Sequence, residues 1–178
     1  MINRQLLEKG YLIVNGFVNP EYCHELYQDL LKEGRTDKTH MCDDFHGSVH
    51  NHPNPVAAVE IHHYMTKYMT DLVEESLFPT YSYMRIYNNN SFLIKHTDRP
   101  ACEISVSIHL SGDSSWPIWI QTPKGNDVSV DLQDGDAMIY LGCVAPHWRD
   151  MYFGNDYSQV FFHYVREEGV YSLSLIHI

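Results

Sequence analysis

Tyr81 to Asp98, YSYMRIYNNNSFLIKHTD, reads as strand, turn and strand, and it ends in the triplet His96-Thr97-Asp98. Side chains alternate faces along a strand, so residues two apart share one face, and the imidazole of His96 and the carboxylate of Asp98 can grip one ion together. An H-x-D triplet is weak on its own in a chain with 12 histidines, where a surface turn explains it as well. A third residue shifts the balance. In DLQDGDAMIYLGCVAPHWRD, Asp131 to Asp150, His147 falls on or just after a second apolar strand. Two histidines and one carboxylate on neighbouring strands form the facial triad that holds ferrous iron and leaves coordination positions open.

Outward from this stretch, the C-terminal hundred residues read as strands: Tyr81 to Tyr87, Phe92 to His96, Glu103 to Leu110, Pro117 to Gln121, Asp127 to Leu132, Ala137 to Leu141 and Gln159 to Val165. Asn88 to Asn90, Ser111 to Asp113 and Gly135-Asp136 supply the turns. Short antiparallel strands with polar breaks favour a double-sheet jelly roll, a double-stranded β-helix of cupin-like form, over an open sheet. Ile104, Val106 and Ile108 alternate with Glu103, Ser105, Ser107 and His109, which predicts one greasy face and one polar face toward a cavity.

The N-terminal part reads as support. Arg4 to Lys9 forms a short helix stopped by Gly10, Tyr11 to Val14 a strand, and Asn15-Gly16 a turn. Asn19 and Pro20 then cap a helix whose stripe is Cys23, Leu26, Tyr27, Leu30 and Leu31, ending before Gly34. Asn54-Pro55 repeats the cap signal for a second helix, with Ile61, Met65, Tyr68, Met69, Leu72 and Val73 as its core stripe and Phe78-Pro79 as its stop. Between the two helices, Arg35 to Pro55 loses its periodicity and predicts a long loop, an ordinary surface loop or a lid beside the site. Its His40, Cys42, His46, His50 and His52 invite a zinc site, but no matched cysteine pair accompanies them. The whole chain is expected to be one domain, with residues 1–80 as helical support and loop and residues 81–166 as the jelly-roll core.

A formal net charge of −11 argues against nucleic acid as an unspecific partner. Four cysteines lack any C-x-x-C spacing, and no apolar run approaches the roughly 20 residues that cross a bilayer; a soluble cytoplasmic protein with reduced thiols is expected.

Four blocks stand in a telling order: GYLIVNGFVNPEYCHEL (10–26), MRIYNNNSFLIKHTD (84–98), VDLQDGDAMIYLG (130–142) and PHWRDMYFGNDYSQVFFHYV (146–165). In that order they resemble the Fe(II)- and 2-oxoglutarate-dependent oxygenases, in particular the branch related to prolyl hydroxylases. The resemblance implies His96, Asp98 and His147 as iron ligands, 2-oxoglutarate as cosubstrate, ascorbate as an accessory reductant, and hydroxylation of an unactivated C–H bond in a peptide side chain or small metabolite.

One position departs from that pattern. The family usually meets the far carboxylate of 2-oxoglutarate with Arg or Lys about ten residues after the second histidine, where this chain has Tyr157. The substitutes are Arg149, two residues past His147 and on its face if the strand is regular, Tyr87, nine before His96, and His109; Lys95 and Arg166 rank lower. Trp148, next to His147, is expected on the outer face, and Trp116 and Trp119 near the pocket mouth. The departure keeps open a cupin-like metal-binding isomerase or sensor. A barrel that has lost catalysis and serves as an interaction module is the third reading, disfavoured by three intact ligands.

Overall fold

In a computed structural model, which describes residues 2–34, 38–53 and 55–172, the strands form two antiparallel sheets with a cavity between them. The major sheet has seven strands in the order β1 (Tyr11–Val14), β9 (Ala137–Tyr140), β6 (Ile104–Gly112), β11 (Tyr157–Arg166), β4 (Leu77–Tyr87), β3 (Gly47–Pro53) and β2 (His40–Asp43). The minor sheet has four, β5 (Leu93–His96), β10 (His147–Arg149), β7 (Ile118–Gln121) and β8 (Asp127–Val130). All neighbouring pairs run antiparallel, as a double-stranded β-helix requires.

Three helices, α1 (Arg4–Lys9), α2 (Pro20–Gly34) and α3 (Val56–Val73), precede the barrel strands. The Asn3 side chain caps α1 through the backbone N–H groups of Gln5 and Leu6, and Gly10 closes it in the left-handed region at φ 83°. Asn19 does the same for α2, accepting from the Glu21 N–H at 2.8 Å. Cys23, Leu26 and Leu30 of α2 and Ala58, Met69 and Val73 of α3 bury themselves against Ile86, Ile104, Val106, Ile108 and Phe162. Each such aliphatic side chain contributes about 1.5–3 kcal/mol of burial. The greasy face of β6 is therefore spent on the helices; its polar face, expected to border the cavity, does not line it, since Ser105 and Ser107 are taken up by hydrogen bonds to Asp98, His163 and Gln159 behind the wall.

Several sequence expectations shift. Lys38 to Pro53, expected as loop, holds the β2–β3 hairpin, which extends the major sheet by pairing β3 with β4. Its hydrogen bonds come from backbone, so apolar periodicity was the wrong signal for two polar edge strands. The zinc idea finds no support: among the described residues, the loop histidines and Cys42 belong to no metal-competent cluster. Asn54, expected as a cap, lies outside the described residues; Pro55 takes the cap position of α3 in extended backbone. The buried face of α3 runs through Ala58, His62, Met69 and Val73, while Tyr68 is 45% exposed. Phe78 and Pro79 stop no helix; they lie inside β4, where the β-bulge opposite Phe162 and Tyr164 accommodates the proline. The short β10 was not among the expected strands, although His147 was placed at a strand end. No helix is long and apolar enough to cross a membrane among the described residues.

His62 carries a prediction. It lies stacked on Phe162 at 5.0 Å and hydrogen-bonds the His163 carbonyl at 3.0 Å, and burial pushes its pKa down to about 4. The folded state favours neutral His62, so its contribution is full above pH 6.5 and falls as pH drops toward 4, by up to about 1.4 kcal/mol per pH unit. Urea midpoints at pH 7 and 5 should differ less in His62→Gln than in the parent; an unchanged difference would show that the acid sensitivity arises elsewhere.

Candidate metal centre and its pocket

His96 ends β5 and His147 begins β10, and the two are paired directly across the minor sheet, with ring centroids 4.3 Å apart. Asp98 follows on the loop after β5, where its N–H donates to the Gly142 carbonyl at 2.8 Å. The Oδ1 atom of Asp98 lies 3.6 Å from His96 Nε2 and 3.7 Å from His147 Nε2, and all three ligand atoms are within 4.8 Å of one another. One ion can touch all three.

The surrounding hydrogen bonds prepare these atoms for it. His96 Nδ1 donates to the Ile94 carbonyl at 2.8 Å and His147 Nδ1 to the Ala145 carbonyl at 3.0 Å. Each bond leaves the Nε2 lone pair facing Asp98, the arrangement by which outer groups orient metal-binding imidazoles. Burial lowers the pKa of His147 and so keeps it in the neutral, ligating form. Burial alone would raise Asp98; His96 and His147 outweigh it and hold the carboxyl at about 2, ionised at all ordinary pH.

The second oxygen of Asp98 is already engaged, since Ser105 Oγ donates to Oδ2 at 2.8 Å and also contacts His163 Nδ1 at 3.0 Å. Asp98 thus offers one free oxygen. Gly142 packs so close that a Cβ there would sit 2.2 Å from the Cys102 carbonyl and 2.5 Å from Asp98 Oδ2, leaving room for no side chain. Ser105→Ala should lower metal affinity by roughly 10- to 100-fold with little change in fold, as loss of an orienting partner does. A ferrous-iron titration of the variant checks this, and parent-like affinity would relieve Ser105 of that role.

The triad opens onto a cavity of about 850 Å³ between the sheets. Tyr81, Tyr83, Arg85 and Tyr87, every second residue of β4, line one wall, with Gln159 and Phe161 of β11 beside them. Arg149 reaches the cavity from the same minor-sheet strand as His147, although β10 is irregular against β5 between the two. It is buried, its guanidinium over the rings of Trp116 (4.7 Å) and Tyr157 (4.9 Å), and its Nη1 donates to the Trp116 carbonyl. Its Nη2 is buried with no hydrogen-bond partner among the described residues.

The other sequence candidates separate. Tyr87 lines the cavity. His109 does not: its ring stacks on Tyr157 at 4.2 Å and its Nε2 faces Asp134 at 3.2 Å. Lys95 lies outside, over the Trp148 ring and 3.5 Å from Asp127, and Arg166 pairs with Glu103 at 2.7 Å. Trp148 faces outward as expected and stacks on Trp119. Trp116 and Trp119 do not line the cavity: the register that pairs Trp119 with Trp148 puts both on the outer face, and Trp116 packs behind Arg149. Arg85 and His163 went unread in the sequence, and Ser105 was read only as part of a polar strand face. Arg85 was within reach, two residues before Tyr87 on a strand whose period is two.

No family model and no curated protein matches the chain. Solved structures do. A prolyl-4-hydroxylase from Pseudomonas putida superposes with a TM-score of 0.74 at 12% identity, covering 91% of this chain and 95% of that one. An oxidoreductase of the 2OG-Fe(II) oxygenase family from Burkholderia pseudomallei gives 0.70 at 18% identity, over 93% and 89%. HygX from Streptomyces hygroscopicus, with nickel and 2-oxoglutarate bound, gives 0.70 at 14% identity, over 94% and 89%. At such identities the likeness is one of architecture, and the architecture of this chain is that of the 2-oxoglutarate- and Fe(II)-dependent oxygenase structures.

Proposed function

We propose that the chain is a non-haem iron dioxygenase that hydroxylates an unactivated C–H bond of a peptide side chain or small metabolite, coupled to oxidative decarboxylation of 2-oxoglutarate. The observation that carries it is the convergence of His96, Asp98 and His147, tautomers and free oxygen already set, on a cavity that also holds a buried guanidinium whose Nη2 has no hydrogen-bond partner among the described residues. Ferrous iron would supply oxygen activation; the protein's part is to hold it with three groups and leave the remaining positions free.

Arg149 supports the cosubstrate. A buried guanidinium without a carboxylate is costly, and a dicarboxylate entering the cavity would supply the missing charge to Nη2. Tyr87 offers a hydroxyl on the same cavity. The missing cation ten residues past His147 thus has a counterpart, since the Arg149 guanidinium lies over the ring of the Tyr157 that stands there. This weakens the isomerase or sensor alternative. HygX, of the same fold, was solved with 2-oxoglutarate bound. Free cysteines among the described residues agree with a cytoplasmic setting.

Anaerobic titration of the protein with ferrous iron and then 2-oxoglutarate is the test. A visible metal-to-ligand charge-transfer band that needs both components is expected. Iron binding without such a band would leave a metal protein of another kind.

A further inference from the structure

We propose that this cavity selects an anionic substrate, whose carboxylate or phosphate group is received by Arg85; the inference rests on the oxygenase reading above. Arg85 is the one charged residue in the inward row of β4. Its Nε donates to Asn51 Oδ1 at 3.0 Å, and its guanidinium carbon lies 4.8 Å from the centre of the Tyr83 ring. These contacts orient the fork and supply no negative charge. Among the described residues Arg4 and Arg166 have ion pairs, with Glu8 and Glu103, and Arg85 has none. The carboxylate whose field reaches it, Asp43, is already bonded to His46 and to the backbone N–H groups of Phe45 and His46.

The charge of the cavity points the same way. Among the described residues three arginines line it, Arg85, Arg99 and Arg149, against one carboxylate, Asp98. Ferrous iron adds two positive charges and 2-oxoglutarate removes two, so the loaded cavity keeps a charge of about +2, inside a chain whose net charge is −11. Such a local reversal attracts an anion only at short range, once the ligand is within about 8–10 Å.

Position assigns the two inner arginines to different ligands. Arg149 is buried behind Trp116 and Tyr157, where the cosubstrate's far end can reach it. Arg85 is partly buried on β4, tied to Asn51 of the hairpin, on the sheet opposite the strand that carries Arg149. Between Arg85 and the iron ligands the wall is aromatic, with Tyr83 stacked on Phe161 at 4.5 Å and on Tyr81 at 6.1 Å. A ligand with a flat or apolar body and one anionic group suits that wall.

Calorimetric titration under anaerobic conditions tests this, on protein loaded with ferrous iron and saturating 2-oxoglutarate, with phenylacetate, phenyl phosphate and phenylacetamide as probes. An anion should bind tighter than the neutral amide by about tenfold or more, and the order of the two anions tells carboxylate from phosphate. Arg85→Met should remove the preference while 2-oxoglutarate affinity stays within about twofold, and Arg85→Lys should keep part of the preference. The proposal is overturned if the parent binds the anions no tighter than the amide, or binds none of the three. It is equally overturned if Arg85→Met keeps the preference, or if that variant loses about tenfold in 2-oxoglutarate affinity, which would make Arg85 the cosubstrate's partner. A parent that takes up iron but no 2-oxoglutarate would bring down the oxygenase reading, and this one with it.

Discussion

Asp98→Ala should lower ferrous-iron affinity by at least about a hundredfold. Among the described residues Asp98 Oδ1 is the anionic oxygen facing the two imidazole nitrogens, at 3.6 and 3.7 Å, so its removal takes away one ligand of three and the negative charge among them. The fold should survive with some loss. With its carboxyl held at about 2 in the folded state, Asp98 stays ionised down to low pH, and the stability it contributes is lost as pH falls from about 4 toward 2. Metal titration followed by fluorescence, beside thermal melting of the apoprotein, separates the two effects. A variant that melts like the parent and binds iron within about threefold of it would remove Asp98 from the ligand set.

Arg149→Met is expected to raise the 2-oxoglutarate dissociation constant about a hundredfold and to leave iron affinity nearly unchanged. Methionine keeps much of the apolar volume against Trp116 and Tyr157 and removes the fork whose Nη2 is unpartnered. Losing a charge-assisted contact to a dicarboxylate in a buried site costs on the order of 3 kcal/mol, which sets the factor. Arg166→Met, which breaks only the pair with Glu103, is the control and should leave cosubstrate affinity as it was. Calorimetry with iron-loaded protein reads both variants. Equal affinity in parent and Arg149→Met would shift suspicion to Tyr87 and Arg85.

Much of this site was legible because the chemistry follows strand periodicity. His96 and Asp98 are two apart, His147 was read on or just after another strand, and the structure brings these three side chains together. The barrel strands could be read from alternating apolar residues, and most bounds moved by only a few residues. Three kinds of information stayed hidden. The β2–β3 hairpin is built from polar residues whose partners are backbone groups of β4, so its pairing depends on a neighbour distant in sequence. The burial of α3 through His62 is decided by Phe162 and Tyr164, a hundred residues downstream. His109 sits on the strand expected to border the pocket, yet the register of β6 against β11 shifts beside it, with Leu110 as the extra residue opposite Ser158/Gln159, and its ring goes to Tyr157 and Asp134.

The hairpin at the sheet edge gives Arg85 its neighbour Asn51, and the turn joining its strands gives Phe45, packed edge-on to His96 at 4.8 Å, and His46 at the cavity wall. β2 is largely exposed and, within the sheet, is held only by β3. Strands of that kind open at the low end of a protein's range of local unfolding free energies. The amides of β2 and β3 should therefore exchange with deuterium sooner than those of β6 and β11, and slow down when iron and 2-oxoglutarate fill the cavity. A weakly held edge of the sheet then also borders the cavity, and hydrogen exchange along Met41 to Asn51 becomes a gauge of how full the site is.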